Sequence, residues 1–168
     1  MNYKPGEKSK NIPIESVDDY RNAAISLLKQ AHRGIDIFTP DLEAEIYNHQ
    51  EIEQSVFNLA KRHPTTRIRI LVQDSTAAAR DGHCLVRLAQ QLSSYVFIHT
   101  PSDDYKNEHG AFVVVDNTGF IHRVSTSDRT YRATANFNAP QRAAELTGFF
   151  NEVWEHSSAD IKTRRLYI

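Results

Sequence analysis

The residues best suited to chemistry bracket one apolar run. His109 enters the stretch Gly-Ala-Phe-Val-Val-Val and Asp116 leaves it, so an imidazole and a carboxylate end a segment whose β-branched content reads as a buried strand. An imidazole can attack an electrophile or move a proton, and a carboxylate can orient it. Asn117-Thr118-Gly119 then spells a turn, and residues 120–124 return as a second strand. Residues 133–137 (Ala-Thr-Ala-Asn-Phe) form a further segment able to bring the Thr134 hydroxyl and the Asn136 amide to the same edge. The most strand-like segment, residues 67–73, ends on Gln73 and Asp74, and the C-terminal ends of strands in α/β sheets are where ligands usually sit. Arg80 and His83 follow closely. Asn136, Thr134, Gln73, Asp74, Arg80 and His83 are therefore the candidate ligand-binding residues, and His109 and Asp116 the candidate catalytic ones.

This arrangement resembles the phospholipase D superfamily motif, His-x-Lys-x-x-x-x-Asp followed downstream by Gly-Ser-x-Asn. His109 and Asp116 fall on its His and Asp, and Thr134 and Asn136 on its Ser and Asn. Ala111 stands at the lysine position and Ala133 at the glycine position. The resemblance extends over roughly residues 16 to 156, including the closing Phe150-x-x-x-Trp154. It implies one phospholipase D-like half-domain, an α/β fold with a mixed β-sheet flanked by helices. It also implies two motif copies meeting at a two-fold axis, which for this chain means a homodimer. One His109 would attack phosphorus and the other would protonate the leaving oxygen. Asp116 would support the imidazole, and Asn136 would hold non-bridging oxygens.

Ala111 breaks that scheme, because a methyl group neither neutralises nor donates to a phosphate oxygen. Loss of one strong oxyanion donor costs roughly 10²–10³ in rate. Two readings follow. In the first, the domain is catalytically degenerate, His109 and Asp116 are vestigial, and the protein is a binding or interaction module for a phosphate-bearing ligand or a protein partner. In the second, it is a working phosphodiesterase or nuclease acting through His109 in a homodimer, its cation supplied by Arg80, Arg123, Arg129 or Arg132. Structural duties compete with both: His109 as a strand cap, Asp116 as a turn residue, Asn136 as a local turn partner.

Composition narrows the class. At 168 residues with a net charge of −1, the chain is long enough for one core and offers no bulk attraction to nucleic acid or anionic membrane. No apolar run reaches the length of a membrane span, and residues 1–10 lack the apolar core of a signal peptide. With the single cysteine, Cys84, expected to be a buried thiol, this indicates a reducing, cytoplasmic setting. The eight histidines show no zinc-type pairing, and no nucleotide-binding glycine loop is present, so neither a metal nor a cofactor is expected.

The elements needed to position these residues are legible in outline. Residues 1–12 have almost nothing to bury and are expected to form a loose tail, with one domain over 13–168. Ser16 suits an N-cap for a helix with Tyr20, Ala24, Leu27, Leu28 and Ala31 on one face, and Gly34 suits its stop. Strands are expected at 35–39, 67–73 and 95–99, alternating with helices at about 50–62 and after Gly82. Residues 75–80, 101–108 and 125–132 are expected as loops. A closing helix from Pro140 carries Leu146, Phe149, Phe150, Val153 and Trp154 inward, and residues 166–168 are apolar enough for an edge strand.

Overall fold

The structure is a computed structural model that describes residues 9–127 and 129–164. In chain order its elements are β1 (Ile12–Ile14), α1 (Val17–Lys29), β2 (Gly34–Thr39), α2 (Ala44–Tyr47), α3 (Gln50–Arg62), β3 (Arg67–Val72), α4 (Thr76–Arg80), α5 (Cys84–Gln91), β4 (Val96–Thr100), β5 (Ala111–Val115), β6 (Gly119–Arg123), β7 (Ala133–Asn136), α6 (Pro140–Glu155) and β8 (Ser158–Ala159). The strands form one sheet in the order β1-β7-β6-β5-β2-β3-β4-β8. β2, β3 and β4 run parallel, whereas β5 pairs antiparallel to β2 and every strand outward of these is antiparallel to its neighbour. Parallel neighbours need long crossovers, supplied here by α3 and α5.

Side-chain alternation divides the core in two. Ile35, Ile37, Ile68, Ile70, Val113, Val115 and Ile121 face α1, α3 and α5, while Phe38, Leu71, Phe112, Val114 and Phe120 face α6. The central strands are covered on both sides, which is why they read as near-continuous apolar runs. Phe38 and Phe112 stack at 5.4 Å between centroids, and Phe149 meets both edge-on at 5.6 and 6.2 Å.

Local signals explain most boundaries. Ser16 Oγ accepts the Asp19 N–H at 3.1 Å and starts α1, and Pro140 opens α6 where a missing N–H costs nothing. Elsewhere the structure departs from expectation. α1 stops at Lys29, before Gly34, which instead begins β2. A Cβ on Gly34 would lie 3.1 Å from the Arg67 carbonyl, so that glycine serves close strand approach. Residues 75–80 hold a one-turn helix, because Asp74 accepts from both the N–H and the hydroxyl of Thr76. Ser9, Asn11 and Ile12, expected in a loose tail, are held at the sheet edge: Ile12 pairs with Ala135, and the Asn136 amide donates to Asn11 and Ser9. The far edge is closed by β8 against β4; residues 166–168 lie outside the described residues.

Asp116 joins the two halves. It and Asn117 take φ of 55° and 54°, the paired left-handed conformation of a tight hairpin turn closed by the Thr118 N–H on the Val115 carbonyl at 3.0 Å. Its carboxylate accepts the N–H groups of His32, Arg33 and Gly34 at 2.8, 2.7 and 3.0 Å. Asp116→Ala strands three donors at once and is expected to lower the unfolding free energy by about 2–4 kcal/mol, with Asp116→Asn keeping part of the loss. Denaturant unfolding of the three proteins checks this.

Candidate functional site

The edge that carries His109 is the N-terminal end of β5, beside the C-terminal ends of the parallel strands. The His109 carbonyl accepts the Thr126 N–H at 2.7 Å, tying the start of β5 to the loop after β6. The imidazole is exposed and makes no side-chain hydrogen bond among the described residues. Two residues on, Ala111 is fully buried and lies opposite Arg123 of β6.

Beneath this edge lies a buried ion pair. Arg123 and Glu43 are each about 4% exposed, and an Arg123 Nη donates to Glu43 Oε2 at 3.3 Å. Thr39 at the end of β2 donates its hydroxyl to the other carboxylate oxygen at 3.1 Å. The second Arg123 Nη donates to the Thr126 carbonyl at 3.4 Å, and the guanidinium lies 4.0 Å from the Tyr131 ring centroid. The loop delivering Glu43 is strained, with φ of 67° at Leu42 and 29° at Glu43. Thr39 Oγ1 and Asp41 Oδ1 hold it by accepting the N–H groups of Leu42 and Glu43 at 3.1 and 2.9 Å. Burial raises the Glu43 carboxyl to about 7 despite help from Thr39 and Arg123.

The other candidates are distributed around the fold and do not converge on His109. Asp116 lies at the opposite end of β5, roughly 20 Å along the strand, where it holds the turn into β2, so it does not orient the imidazole. Asn136 and Thr134 lie on β7, beyond the β6 strand that returns beside β5. They lie opposite Phe120 and His122 on the α6 side, and Asn136 is engaged with Asn11 and the Asn138 N–H. Ala111 and Arg123 alternate onto the other face.

Gln73 donates to the Tyr105 carbonyl at 3.0 Å, Asp74 bonds Thr76 and Lys162, and exposed Arg80 pairs with its neighbour Asp81 at 2.9 Å. His83 is buried. Its Nδ1 accepts the Leu85 N–H at 3.1 Å, so Nε2–H donates to the Leu42 carbonyl at 3.0 Å, and burial holds its pKa below the usual histidine value. Cys84 is buried as expected, its thiol pushed up to about 11 by burial. Among the described residues no group of acids, histidines and cysteine is placed to hold a metal, and no helix is long and apolar enough to cross a membrane.

Sequence reasoning missed Glu43, whose burial results from tertiary packing. It also passed over Arg69, although Asp36 and Arg69, each at a mid-strand position between isoleucines, were a signal that two polar side chains must meet. They do: Arg69 clasps Asp36 at 2.8 and 3.0 Å.

The eight-stranded mixed sheet with helices on both faces is a phospholipase D-like fold. The chain belongs to the family described as "Domain of unknown function (DUF7931)", whose model matches residues 16–166. Among solved structures, Nuc of Salmonella typhimurium, a phospholipase D family member, aligns over 91% of this chain and 99% of its own, with a TM-score of 0.67 and 14% identity. NucT from Helicobacter pylori aligns over 91% and 100%, with a TM-score of 0.64 and 10% identity. TrmBL2, an archaeal chromatin protein with a novel mode of DNA binding, aligns over 95% of this chain with a TM-score of 0.68 and 11% identity, and this chain spans 57% of it. At these identities the likeness concerns the fold. No curated protein matches.

Glu43 makes stability depend on pH in a stated direction. Below about pH 4.5 the group is protonated in folded and unfolded chains alike; between there and about 7 only the folded chain retains the proton. Folding then takes up a proton, so this contribution falls by roughly 3 kcal/mol as pH rises through that window. Glu43→Gln removes the slope. The unfolding free energy of wild type relative to E43Q is expected to decline from about pH 5 to about pH 8 and then level off; thermal or denaturant unfolding across that range measures it.

Proposed function

We propose that this is a catalytically degenerate phospholipase D-like domain, one unit from β1 onward, that acts as a binding module for a phosphate-bearing ligand. The observation that carries the reading is the state of the cation nearest the motif's lysine position. Arg123 is buried, paired with Glu43, and covered by Tyr131. Of the other arginines that could replace the lysine, Arg80 is exposed and paired with Asp81, and Arg129 and Arg132 are exposed on the loop after β6. A phosphodiester at the exposed His109 imidazole would meet a buried methyl group and a buried guanidinium already engaged by Glu43, the Thr126 carbonyl and Tyr131.

The acid and the amide of the motif support the same conclusion, since Asp116 and Asn136 are engaged elsewhere. A shared site across a two-fold axis would double this deficit.

The test is turnover. Purified protein is expected to hydrolyse neither bis(p-nitrophenyl) phosphate nor DNA above background. Hydrolysis that His109→Ala abolishes, with thermal unfolding unchanged, would establish a working phosphodiesterase and end this reading.

A further inference from the structure

A cleft of about 730 Å³ opens on the α6 side of the sheet, at the N-terminal ends of β2 and β3. It lies at the end of the sheet opposite His109. Its floor is the Arg69–Asp36 pair. Asn151 of α6 accepts a further hydrogen bond from Arg69 at 2.8 Å, and the guanidinium lies 4.8 Å from the Phe150 centroid and 5.5 Å from that of Trp154. Arg69 Nη1 makes no hydrogen bond among the described residues and remains available to the cleft.

Two more guanidiniums stand at the rim. Arg67 is exposed and donates only to the Pro64 and Thr66 carbonyls; exposed Arg33 makes no side-chain bond among the described residues. Neither acid in the cleft is ion-paired with them among the described residues. Asp36 is matched to Arg69, and Asp116 is engaged by three N–H groups. The wall is Phe97 of β4, half-buried and without a ring partner among the described residues, whereas His99 and Trp154 are already stacked on each other at 3.9 Å.

We propose that this cleft binds a nucleotide, with its phosphates on Arg33, Arg67 and the free Nη1 of Arg69, and its base against Phe97. The inference rests on the reading that the domain binds a phosphate-bearing ligand, and moves the site away from His109. Guanidiniums match phosphate oxygens in bidentate geometry. An aromatic ring beside them adds roughly 1–3 kcal/mol per stacked base. The volume lies within the range of small-molecule sites, and a chain with net charge −1 lacks the long-range field that a polyanion would reward.

Trp154 is the only tryptophan of the chain and lines the cleft, so its emission reports occupancy. ADP is expected to give a saturable change. The double substitution Arg33→Ala/Arg67→Ala should weaken ADP at least about tenfold. Phe97→Ala should weaken ADP while leaving inorganic pyrophosphate unchanged, and His109→Ala should change neither. Thermal unfolding identifies any variant that fails to fold, for which Arg33→Gln/Arg67→Gln is the substitute.

No saturable change with millimolar ADP would overturn the proposal. So would ADP and pyrophosphate binding equally well, an oligothymidylate binding more tightly than ADP, or an affinity indifferent to the arginines. Each of these leaves the non-catalytic reading standing, which fails only on turnover.

Discussion

Three backbone N–H groups converging on one carboxylate hold the two halves of this sheet in register. β2 has a parallel neighbour on one side and an antiparallel neighbour on the other, so its first residue must satisfy both ladders. Gly34 pairs with Arg67, and Ile35 with both Ile68 and Val115. The Asp116 carboxylate takes the donors of the entering turn while its own N–H donates to the Gly34 carbonyl at 3.0 Å. A slip of one residue would turn Asp36 into the α1-side core and an isoleucine toward the cleft. The same anchoring places Arg33 at the cleft rim, so a stabilising contact also sets the geometry of a surface feature.

The faces are covered unequally, and the cleft is a consequence. Helices α1 to α5 contribute to the core on one face, but among the described residues α6 is the one α-helix on the other. A helix is about 10–12 Å across with its side chains, whereas eight strands spaced about 4.8 Å apart span roughly 34 Å. α6 packs on β5, β2 and β6 and leaves β3 and β4 partly open. Polar side chains there must be reconciled with partial burial, and burial does raise the Asp36 carboxyl even with Arg69 opposing it. The Arg69 guanidinium, held by Asp36 and Asn151 and backed by Phe150 and Trp154, gives the open part of the face an ion-paired, hydrogen-bonded floor.

Much of this architecture was legible because periodicity reports burial. α3 over Gln50–Arg62 was readable from Ile52, Val56, Leu59 and Ala60 followed by His63-Pro64, and the central strands from their apolar runs. β1 and β8 were not, since three- and two-residue edge strands have no period to display; they exist only because β7 and β4 present unpaired edges. The site was less legible than the fold. Matching residues to a motif by spacing brought Asn136 to the His109 edge, but Asn136 lies level with Phe120 and Val114, toward the turn end of the β5–β6 hairpin, and counting along the chain does not give that register. Glu43 was invisible for a related reason: a glutamate beside other acids in a turn reads as exposed, and its partners Thr39 and Arg123 are brought to it only by the tertiary fold.

Ala111 and Arg123 are best understood together. They face each other across the β5–β6 ladder, where side chains lie roughly 4.5–5.5 Å apart. A lysine at position 111 would set an ammonium beside a guanidinium with one buried carboxylate between them. Burying an uncompensated charge costs several kcal/mol, so a small apolar residue is what the Glu43–Arg123 pair tolerates at this position. The small residue at position 111 and the buried arginine opposite it therefore amount to one structural solution. A cation sunk against its own carboxylate occupies the sheet edge beneath His109, whereas Arg33 and Arg67, at the other end of the strands, are exposed.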